Sequence, residues 1–265
     1  MTSRLDAALA ARGLARSRTH AAHLISEGLV SVNGRPVVKA AAQVDDNATI
    51  DVAASDHYVS RAAHKLIAGL DSFRVDVAGR CALDMGASTG GFTQVLRERG
   101  ADPVIAVDVG HGQLAATIAD DRGVISIEGF NVRYMSPASL SEASGVSTSP
   151  SVVTGDLSFI SLTHVLPAAR AVASDDADLV LLIKPQFEVG RTAVKGGLVT
   201  NDGLRADAVS RVLWAAWDLG LGTLGVIASP VVGTHGNSEF VVHLAPGRGD
   251  NPTEWLETVN RLASR

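Results

Sequence analysis

A glycine-rich turn and an acidic residue further along the chain are the first features that could do chemistry. The stretch Asp84–Phe92 reads Asp-Met-Gly-Ala-Ser-Thr-Gly-Gly-Phe and closes an apolar segment that begins at Cys81. Glycines at a strand-to-helix turn let the backbone approach a ligand closely. Asp108 ends the next apolar segment, near the position where nucleotide-binding α/β folds place a carboxylate that binds ribose hydroxyls. The two features together predict a site for an adenosine-containing cofactor.

The same turn permits other interpretations. It also spells Gly-x-Ser-x-Gly, the nucleophile elbow of α/β-hydrolases, with Ser88 as the nucleophile. Asp156 with His235 or His243 would then complete a catalytic triad. The location of the turn at the first strand argues against this hydrolase. A nicotinamide cofactor is disfavoured because the glycines lack the tight spacing that seats a pyrophosphate on a helix, whereas S-adenosylmethionine contains no pyrophosphate.

Two more polar residues, Asp156 and Lys184, each follow an apolar segment that we interpret as a strand. Open α/β sheets bind ligands at the carboxyl ends of their strands, so both side chains are expected to face the cofactor crevice. A lysine that serves as a base must lose its proton near neutral pH, which burial and a neighbouring cation favour. We therefore expect Lys184 to be the general base of any proton transfer in this crevice.

These residues need elements that bring them together, and strand-like and helix-like segments alternate beyond residue 80. Strands are predicted at 81–84, 103–108, 124–127, 152–156 and 179–184, and helices at 92–99, 113–120, 162–173 and 204–219. Two last strands, 223–228 and 239–244, are expected to form an antiparallel pair at the sheet edge. This alternation predicts a doubly wound α/β fold with a mostly parallel sheet.

The N-terminal segment predicts a separate, small α+β module. Helical spacing of apolar residues indicates two short helices between Leu5 and Gly28, Asn33-Gly34 indicates a hairpin turn, and a last strand is predicted at Thr49–Val52. Residues 1–39 contain six basic residues against two acidic ones, hence a charge of +4, whereas the whole chain carries −5. Such asymmetry predicts an RNA-contacting module on an acidic catalytic body, the alternative being chance clustering on a solvated face.

Composition limits the remaining classes of protein. The 265 residues are 46% apolar and 19% charged, which suffices for a substantial core. The single cysteine, Cys81, cannot form an intramolecular disulfide, and no Cys/His cluster has zinc-ligand spacing, so no metal is expected. No apolar run approaches the roughly 20 residues that span a bilayer, and the N-terminus lacks the order of a secretory signal. A cytoplasmic protein without a membrane partner is expected.

Several motifs carry a resemblance to known families. Arg4-Leu5-Asp6, Ser17-Arg18 and Gly28–Gly34 resemble an S4 RNA-binding domain, and Ser60–Leu66, Gly155–Ser161, Lys184–Gly190 and Gly236–Glu239 resemble the TlyA family. That family joins an S4 domain to an FtsJ-like methyltransferase, and the match runs over nearly the whole chain. The resemblance implies an S4-like domain over 1–53, a linker over 54–60, and a Rossmann-like methyltransferase domain with a mostly parallel seven-stranded sheet over 61–265.

The resemblance also implies an activity and its residues. The activity is transfer of a methyl group from S-adenosylmethionine to the ribose 2′-hydroxyl of a cytidine in ribosomal RNA, with ribosomal RNA and ribosomal subunits as partners. The sequence itself does not reveal the oligomeric state, and a monomer is expected. FtsJ-like enzymes use a Lys-Asp-Lys-Glu tetrad, which falls on Lys65, Asp156, Lys184 and Glu239 here. Taken alone, Lys65 and Glu239 are equally expected as exposed partners in weak ion pairs, and Lys184 as a side chain that extends from a strand end into solvent. A hydrolase and a noncatalytic RNA-binding or haemolysin-like protein are the alternatives.

The expected binding residues follow from the turn, the strand ends and the basic N-terminal segment. Asp84 is expected to meet the cationic methionine portion of the cofactor, Asp108 the ribose, and Asn131 the adenine. The full cofactor set is Asp84, Gly86, Ala87, Ser88, Thr89, Gly90, Gly91, Phe92, Asp108, Asn131 and Asp156. The expected RNA contacts, mainly to phosphates, are Arg4, Arg12, Arg16, Arg18, Arg35 and Arg61.

Three segments near the site carry secondary expectations. Phe159 and Phe187 are expected in the core, with stacking on an extruded base as the alternative role. The loop Pro185–Asn201 is a candidate lid over the substrate. The linker reads Asp56-His57-Tyr58-Val59, whereas many TlyA relatives carry Arg-x-Trp-Val, so the arginine of that motif is missing here.

Overall fold

The computed structural model describes residues 2–15, 17–26, 28–52, 57–190, 194, 196–233 and 236–264. Three residues that the sequence analysis names, Arg16, Asp56 and His235, lie outside these ranges, as do the proposed domain boundary at residue 53 and residues 191–193 and 195 of the candidate lid. Within the described ranges, no helix is both long enough and apolar enough to cross a membrane. No group of three or more metal-ligating side chains occurs among those residues either.

The N-terminal segment forms the small α+β unit that the sequence predicts. Its elements are β1 (Thr2–Arg4), α1 (Leu5–Ala11), α2 (Arg18–Ser26), β2 (Val30–Val32), β3 (Arg35–Pro36), β4 (Gln43–Asp45) and β5 (Ile50–Val52). The strands β3, β2 and β5 form an antiparallel sheet in that order, and β1 pairs with β4. Asn33 and Gly34 both have positive φ, which is the conformation of a tight hairpin turn between β2 and β3.

The remaining chain alternates strands with helices. Its strands are β6 (Ala82–Met85), β7 (Val104–Val107), β8 (Val124–Ile127), β9 (Val152–Gly155), β10 (Asp178–Ile183), β11 (Leu221–Ala228) and β12 (Phe240–Pro246). Its helices are α3 (Ala63–Phe73), α4 (Gly91–Glu98), α5 (Ala116–Ala119), α6 (Pro137–Ser144), α7 (Leu166–Val172), α8 (Pro185–Glu188), α9 (Asp202–Trp217) and α10 (Leu256–Ala263).

The seven strands form one sheet in the order β11-β12-β10-β9-β6-β7-β8. Strand β6 is parallel to its neighbours β9 and β7, so the chain runs outward in opposite directions from β6 and leaves a crevice at the carboxyl ends of these strands. This arrangement confirms the predicted doubly wound sheet. The expected antiparallel edge pair is confirmed: β11 and β12 pair at one edge of the sheet, and β12 lies between β10 and β11 and runs antiparallel to both.

Apolar side chains cover both faces of the sheet, because parallel strands that carry helices on each side are buried throughout. All six residues of β10 are buried, as are all four of β6. Helix α3 lies closest to the sheet at Gly69, where a Cβ atom would come within 2.9 Å of Val241 and 3.0 Å of Val180. This close packing fixes the first turn of α3, which carries Lys65, at the edge of the crevice.

Candidate active site

The glycine-rich turn joins β6 to α4 through three residues with positive φ. These are Gly86 at 81°, Ser88 at 49° and Gly90 at 99°. At Gly86 a Cβ atom would lie 2.9 Å from Leu157 Cδ2 and 3.2 Å from the carbonyl oxygen of Asp156, so the turn presses directly against the loop after β9. Only glycine combines this conformation with so close an approach.

Asp108 holds the turn in place from the end of β7. Its Oδ2 accepts a hydrogen bond from the backbone N–H of Ser88 at 2.8 Å, and its Oδ1 accepts one from Gly110 N–H at 2.7 Å. A carboxylate offers about four lone-pair positions, so acceptor capacity remains for the hydroxyls of a ligand. Asp108 therefore connects the turn with the pocket beside it.

Three pockets meet at the carboxyl ends of the strands. The first, of about 570 Å³, is lined by Asp108, Asn131, Phe130 and Leu157 among others. The second, of about 210 Å³, is lined by most of the turn, by Arg61 and by Lys65. The third, of about 300 Å³, is largely apolar and is lined by Phe159, Phe187, Gln186, Lys184 and Glu239 among others. The residues shared between these pockets make them parts of one crevice.

The four residues of the expected tetrad converge at this crevice although they are distant in sequence. Lys65 Nζ lies 2.7 Å from Glu239 Oε2 and 3.4 Å from Asp156 Oδ2. Lys184 Nζ lies 2.6 Å from Asp156 Oδ1. Asp156 thus lies between the two lysines, and Glu239 closes the group on the side of Lys65. Exposed ion pairs contribute little to stability, but the lysines and Glu239 of this group are buried, so it is not an ordinary surface ion pair.

Burial gives this cluster its electrostatic character. Lys65, Glu239 and Lys184 are 5%, 4% and 8% exposed. Burial by itself would raise the pKa of Asp156, but the charges of Lys65 and Lys184 and their hydrogen bonds hold it below its ordinary value. The cluster pairs two lysines with two carboxylates, so their formal charges cancel and the group as a whole does not repel a cationic ligand.

Asp84 is placed differently from the expectation. It is fully buried beneath the turn, where its Oδ2 accepts a hydrogen bond from Thr93 Oγ at 2.6 Å and its Oδ1 accepts one from Thr154 Oγ at 3.1 Å. Burial raises its pKa to about 6, while the two threonine hydrogen bonds act in the opposite direction. A side chain held in this way cannot meet the methionine portion of a cofactor, so this expectation is corrected. Asp84 instead ties β6 to α4 and β9.

The other residues of the expected cofactor set surround the crevice. Gly86 and Ser88 line the first and second pockets, as does Asp156. The second pocket is also lined by Ala87, Thr89, Gly91 and Phe92. Asn131 lines the first pocket, and its side chain accepts a hydrogen bond from Arg133 N–H at 3.0 Å. Gly90 supports the turn from behind, since a Cβ atom there would come within 2.8 Å of Leu114.

Phe159 is not a core residue. It is 92% exposed with a positive φ of 65°, which is unusual for an aromatic residue. Its ring centroid lies 5.3 Å from that of Phe187, at a tilt of 50°. The two rings stand together at the third pocket, so the expected burial of Phe159 in the core is corrected.

The hydrolase interpretation finds no triad among the described residues. Ser88 Oγ donates a hydrogen bond to Gln113 Oε1 at 3.2 Å. His243 is buried and lies 2.9 Å from Asp178 Oδ1, near the first residue of β10 and so at the opposite edge of the sheet. Asp156 is engaged by two lysines rather than by a histidine.

The N-terminal arginines fall into groups. Arg4 and Arg18 are exposed and converge on the buried carboxylate of Asp6, at 2.8 Å and 3.2 Å. Arg12 donates hydrogen bonds to the carbonyl oxygens of residues 45, 46 and 48, so it braces the loop after β4. Arg35 is exposed on β3. Arg61 lies between the second pocket and Gly28 of the N-terminal unit, where a Cβ atom would come within 3.0 Å of its guanidinium.

The sequence analysis missed the polar residues that support this site. Ser158 accepts a hydrogen bond from Lys184 Nζ at 2.9 Å. Glu188 is 5% exposed, and it accepts hydrogen bonds from Ser161 Oγ at 2.5 Å and from Leu162 N–H at 2.8 Å. Glu188 thereby fastens the loop after β9 to α8. Both residues lie within the motifs that carry the family resemblance, which was the available signal.

Comparisons with known proteins agree with this architecture. Residues 58–245 match the FtsJ-like methyltransferase family and residues 3–50 match the S4 domain family. The 16S/23S rRNA (cytidine-2′-O)-methyltransferase TlyA of Mycobacterium tuberculosis is 49% identical over 91% of this chain and 89% of its own length. A solved structure from Streptococcus thermophilus, provisionally described as a hemolysin, is 36% identical with a TM-score of 0.76 and covers 99% of this chain and 96% of that one.

Proposed function

The chain belongs to the FtsJ-like methyltransferase family and carries an S4 domain before it, and from this premise we propose that it methylates the ribose 2′-hydroxyl of a cytidine in ribosomal RNA. The observation that carries the proposal is the convergence of two lysines and two carboxylates at the junction of three pockets. Homology supports the class of enzyme, and this convergence supports a reaction centre at the junction of the pockets.

S-adenosylmethionine is the proposed methyl donor, and the residues of the crevice fit it. Gly86 leaves no room for a side chain beside the loop after β9, and Asp108 keeps acceptor capacity for ribose hydroxyls. The first pocket, of about 570 Å³, is large enough for a nucleoside. When bound, this cofactor supplies an electrophilic methyl group on a positively charged sulfur. Asp108 would hold its ribose and Asn131 would lie beside its adenine.

The chain's own task is to bring the target hydroxyl to the methyl group and to accept its proton. We assign proton acceptance to Lys184, because its amine lines both the second and the third pocket. Asp156 orients that amine across 2.6 Å. Lys65 and Glu239 complete the group, since Lys65 holds Asp156 from its other oxygen and Glu239 balances the charge of Lys65. Alignment of oxygen and methyl group is the larger part of such catalysis.

The third pocket is the proposed seat of the target nucleotide. Its apolar lining, the exposed ring of Phe159 and the half-buried ring of Phe187 suit a nucleobase that has left its stack. Three exposed arginines of the S4 domain would contact phosphates of the RNA: Arg4, Arg18 and Arg35. We propose a binding domain over 1–53, a linker over 54–60 and a catalytic domain over 61–265, acting as a monomer on ribosomal subunits in the cytoplasm.

The experiment that tests the function is incubation of the protein with tritiated S-adenosylmethionine and unmodified ribosomal subunits, followed by mapping of the labelled nucleotide. Label on the 2′-oxygen of a cytidine is the expected result. Lys184→Arg is the sharpest variant, because arginine keeps the positive charge but does not lose its proton near neutral pH. It should bind the cofactor in calorimetry and transfer no methyl group. Absence of label with the wild-type protein, or full turnover by Lys184→Arg, would contradict the proposal.

A further inference from the structure

Ser158 stands at the point where the three pockets meet. It lies in the loop after β9, two residues beyond Asp156, and is exposed to the crevice. Among the residues that the structure describes, it is the one that lines the first, second and third pockets alike. Its hydroxyl oxygen accepts a hydrogen bond from Lys184 Nζ at 2.9 Å.

The geometry of a lysine amine explains why a second contact matters. The nitrogen is tetrahedral at the end of a flexible four-carbon chain, so a single partner leaves it free to rotate about the line to that partner. Asp156 Oδ1, at 2.6 Å, supplies one contact to Lys184. That contact is an ion pair, and Ser158 adds a directional hydrogen bond, so the two together restrict the rotation of the amine and the directions left to it. Lys184 itself lines the second and third pockets, where a substrate hydroxyl would meet its amine.

The chemical nature of this second contact also suits a base. A second carboxylate would hold the amine as firmly, but its charge would favour the protonated form of the lysine. A hydroxyl is a neutral acceptor, so it orients the amine with a weaker bias toward that form. Ser158 therefore supplies direction where Asp156 supplies charge.

We propose that Ser158 is a positioning residue of the methyl transfer, which fixes the amine of Lys184 toward the hydroxyl that it deprotonates. The inference depends on the proposed function, because it requires Lys184 to accept that proton. The hydroxyl proton moves from the ribose oxygen to Lys184 Nζ as the carbon–oxygen bond forms and the bond between the methyl carbon and the donor sulfur breaks, with its electron pair left on the sulfur. Ser158 is not consumed in this step and forms no bond to the substrate.

The test compares three variants under the assay conditions of the labelled-subunit experiment. Ser158→Ala removes the hydroxyl and should lower kcat by about 10- to 100-fold, the effect typical of a misplaced reacting group. KM for the ribosomal subunit and Kd for the cofactor should stay unchanged, so kcat/KM falls by the same factor as kcat. Ser158→Thr keeps the hydroxyl at an exposed position and should restore most of the rate.

Ser144→Ala is the matched control. Ser144 is half-buried, and its hydroxyl donates a hydrogen bond to the carbonyl oxygen of Leu140 at 2.7 Å. It lies at the end of α6 and does not line any of the three pockets. Its variant should keep the wild-type kcat. A second readout is independent of turnover: the Nζ protons of Lys184, observed by nitrogen-15 NMR of lysine-labelled protein, should exchange faster in Ser158→Ala than in wild type or Ser158→Thr.

The outcomes separate the inference from the function beneath it. Wild-type turnover together with an unchanged kcat in Ser158→Ala would overturn the role of Ser158 and leave the methyltransferase intact. A Ser158→Thr variant as slow as Ser158→Ala would assign the effect to the packing of the loop, and would also overturn it. If the wild-type protein itself labels no RNA, the proposed function fails and the inference fails with it.

Discussion

Substitution of Gly86 by alanine tests whether the glycine-rich turn shapes the cofactor site through its backbone. The φ of Gly86 is 81°, a region that disfavours an L residue by about 1–2 kcal/mol. The added Cβ would also lie 2.9 Å from Leu157 Cδ2 and 3.2 Å from the carbonyl oxygen of Asp156. Overpacking of this kind costs about 1–3 kcal/mol, so we expect a total loss of about 2–5 kcal/mol in the free energy of unfolding.

Gly145→Ala is the matched control for that substitution. Gly145 has a φ of 72° at the end of α6, and a Cβ atom there would meet nothing within 4 Å. Its variant should lose only the backbone contribution of about 1–2 kcal/mol. Chemical denaturation measures both losses, and calorimetry with S-adenosylmethionine measures binding. Gly86→Ala should weaken that binding by tenfold or more, about 1.4 kcal/mol. Wild-type affinity in Gly86→Ala, or equal weakening in Gly145→Ala, would refute the reasoning.

Three further predictions follow from buried and exposed charges. Burial raises the pKa of Asp84 in the folded state from 3.8 to about 6, so the folded state binds this proton more tightly and the free energy of unfolding should fall as pH rises through that window. Denaturation at several pH values should show that the wild type loses about 3 kcal/mol in the free energy of unfolding that Asp84→Asn does not lose. A parallel pH dependence of the two proteins would contradict this. Glu188→Ala should release the loop that carries Ser161, lower stability by about 1–3 kcal/mol and raise KM for the ribosomal subunit, while the Kd for the cofactor stays unchanged. Arg12→Ala should lower Tm because Arg12 braces three carbonyls, whereas Arg35→Ala should keep Tm and reduce the salt dependence of RNA binding by about one unit of slope. Equal Tm losses in the two arginine variants would contradict that distinction.

Local pattern predicted most of the elements of the fold. The alternation of apolar segments located every strand of the large sheet to within two residues, since buried parallel strands are short continuous apolar runs. The ends of the helices were predicted less accurately where a turn of another type precedes the α-helix. The segment predicted as a helix at 162–173 begins with a 3₁₀ turn at Leu162–His164 and becomes α-helical only at Leu166.

Three of the elements that the sequence analysis missed lack a strong local signal. Strands β1 and β4 have three residues each, and they are stabilised by each other rather than by an alternating pattern of their own. Helix α6 begins at a capping box in which Ser136 and Ser139 bond reciprocally. That cap follows the rule for helix starts, but the helix buries only Leu140, so no apolar stripe marks its length.

Residue chemistry at the site was predictable, whereas its geometry was not. Carboxylates and glycines at strand ends indicated a cofactor crevice before any coordinates, because the carboxyl edge of such a sheet is where ligands bind. The distinction between Asp84 and Asp108 needed the fold. Both residues end a predicted strand. In the structure, Thr93 and Thr154 donate hydrogen bonds to the buried Asp84, whereas Asp108 lines the first pocket.

The position of Glu239 depends on a reversal that no local pattern contains. Lys184 follows β10, so it lies at the carboxyl edge of the sheet, whereas Glu239 precedes β12. If β12 were parallel to β10, Glu239 would lie at the opposite edge, about 20 Å away over a six-residue strand. Because β12 runs antiparallel to β10, with Ile183 opposite Phe240, the start of β12 meets the end of β10. The reversed strand therefore brings the last carboxylate to Lys65, and a chain with seven parallel strands would lack a complete reaction centre.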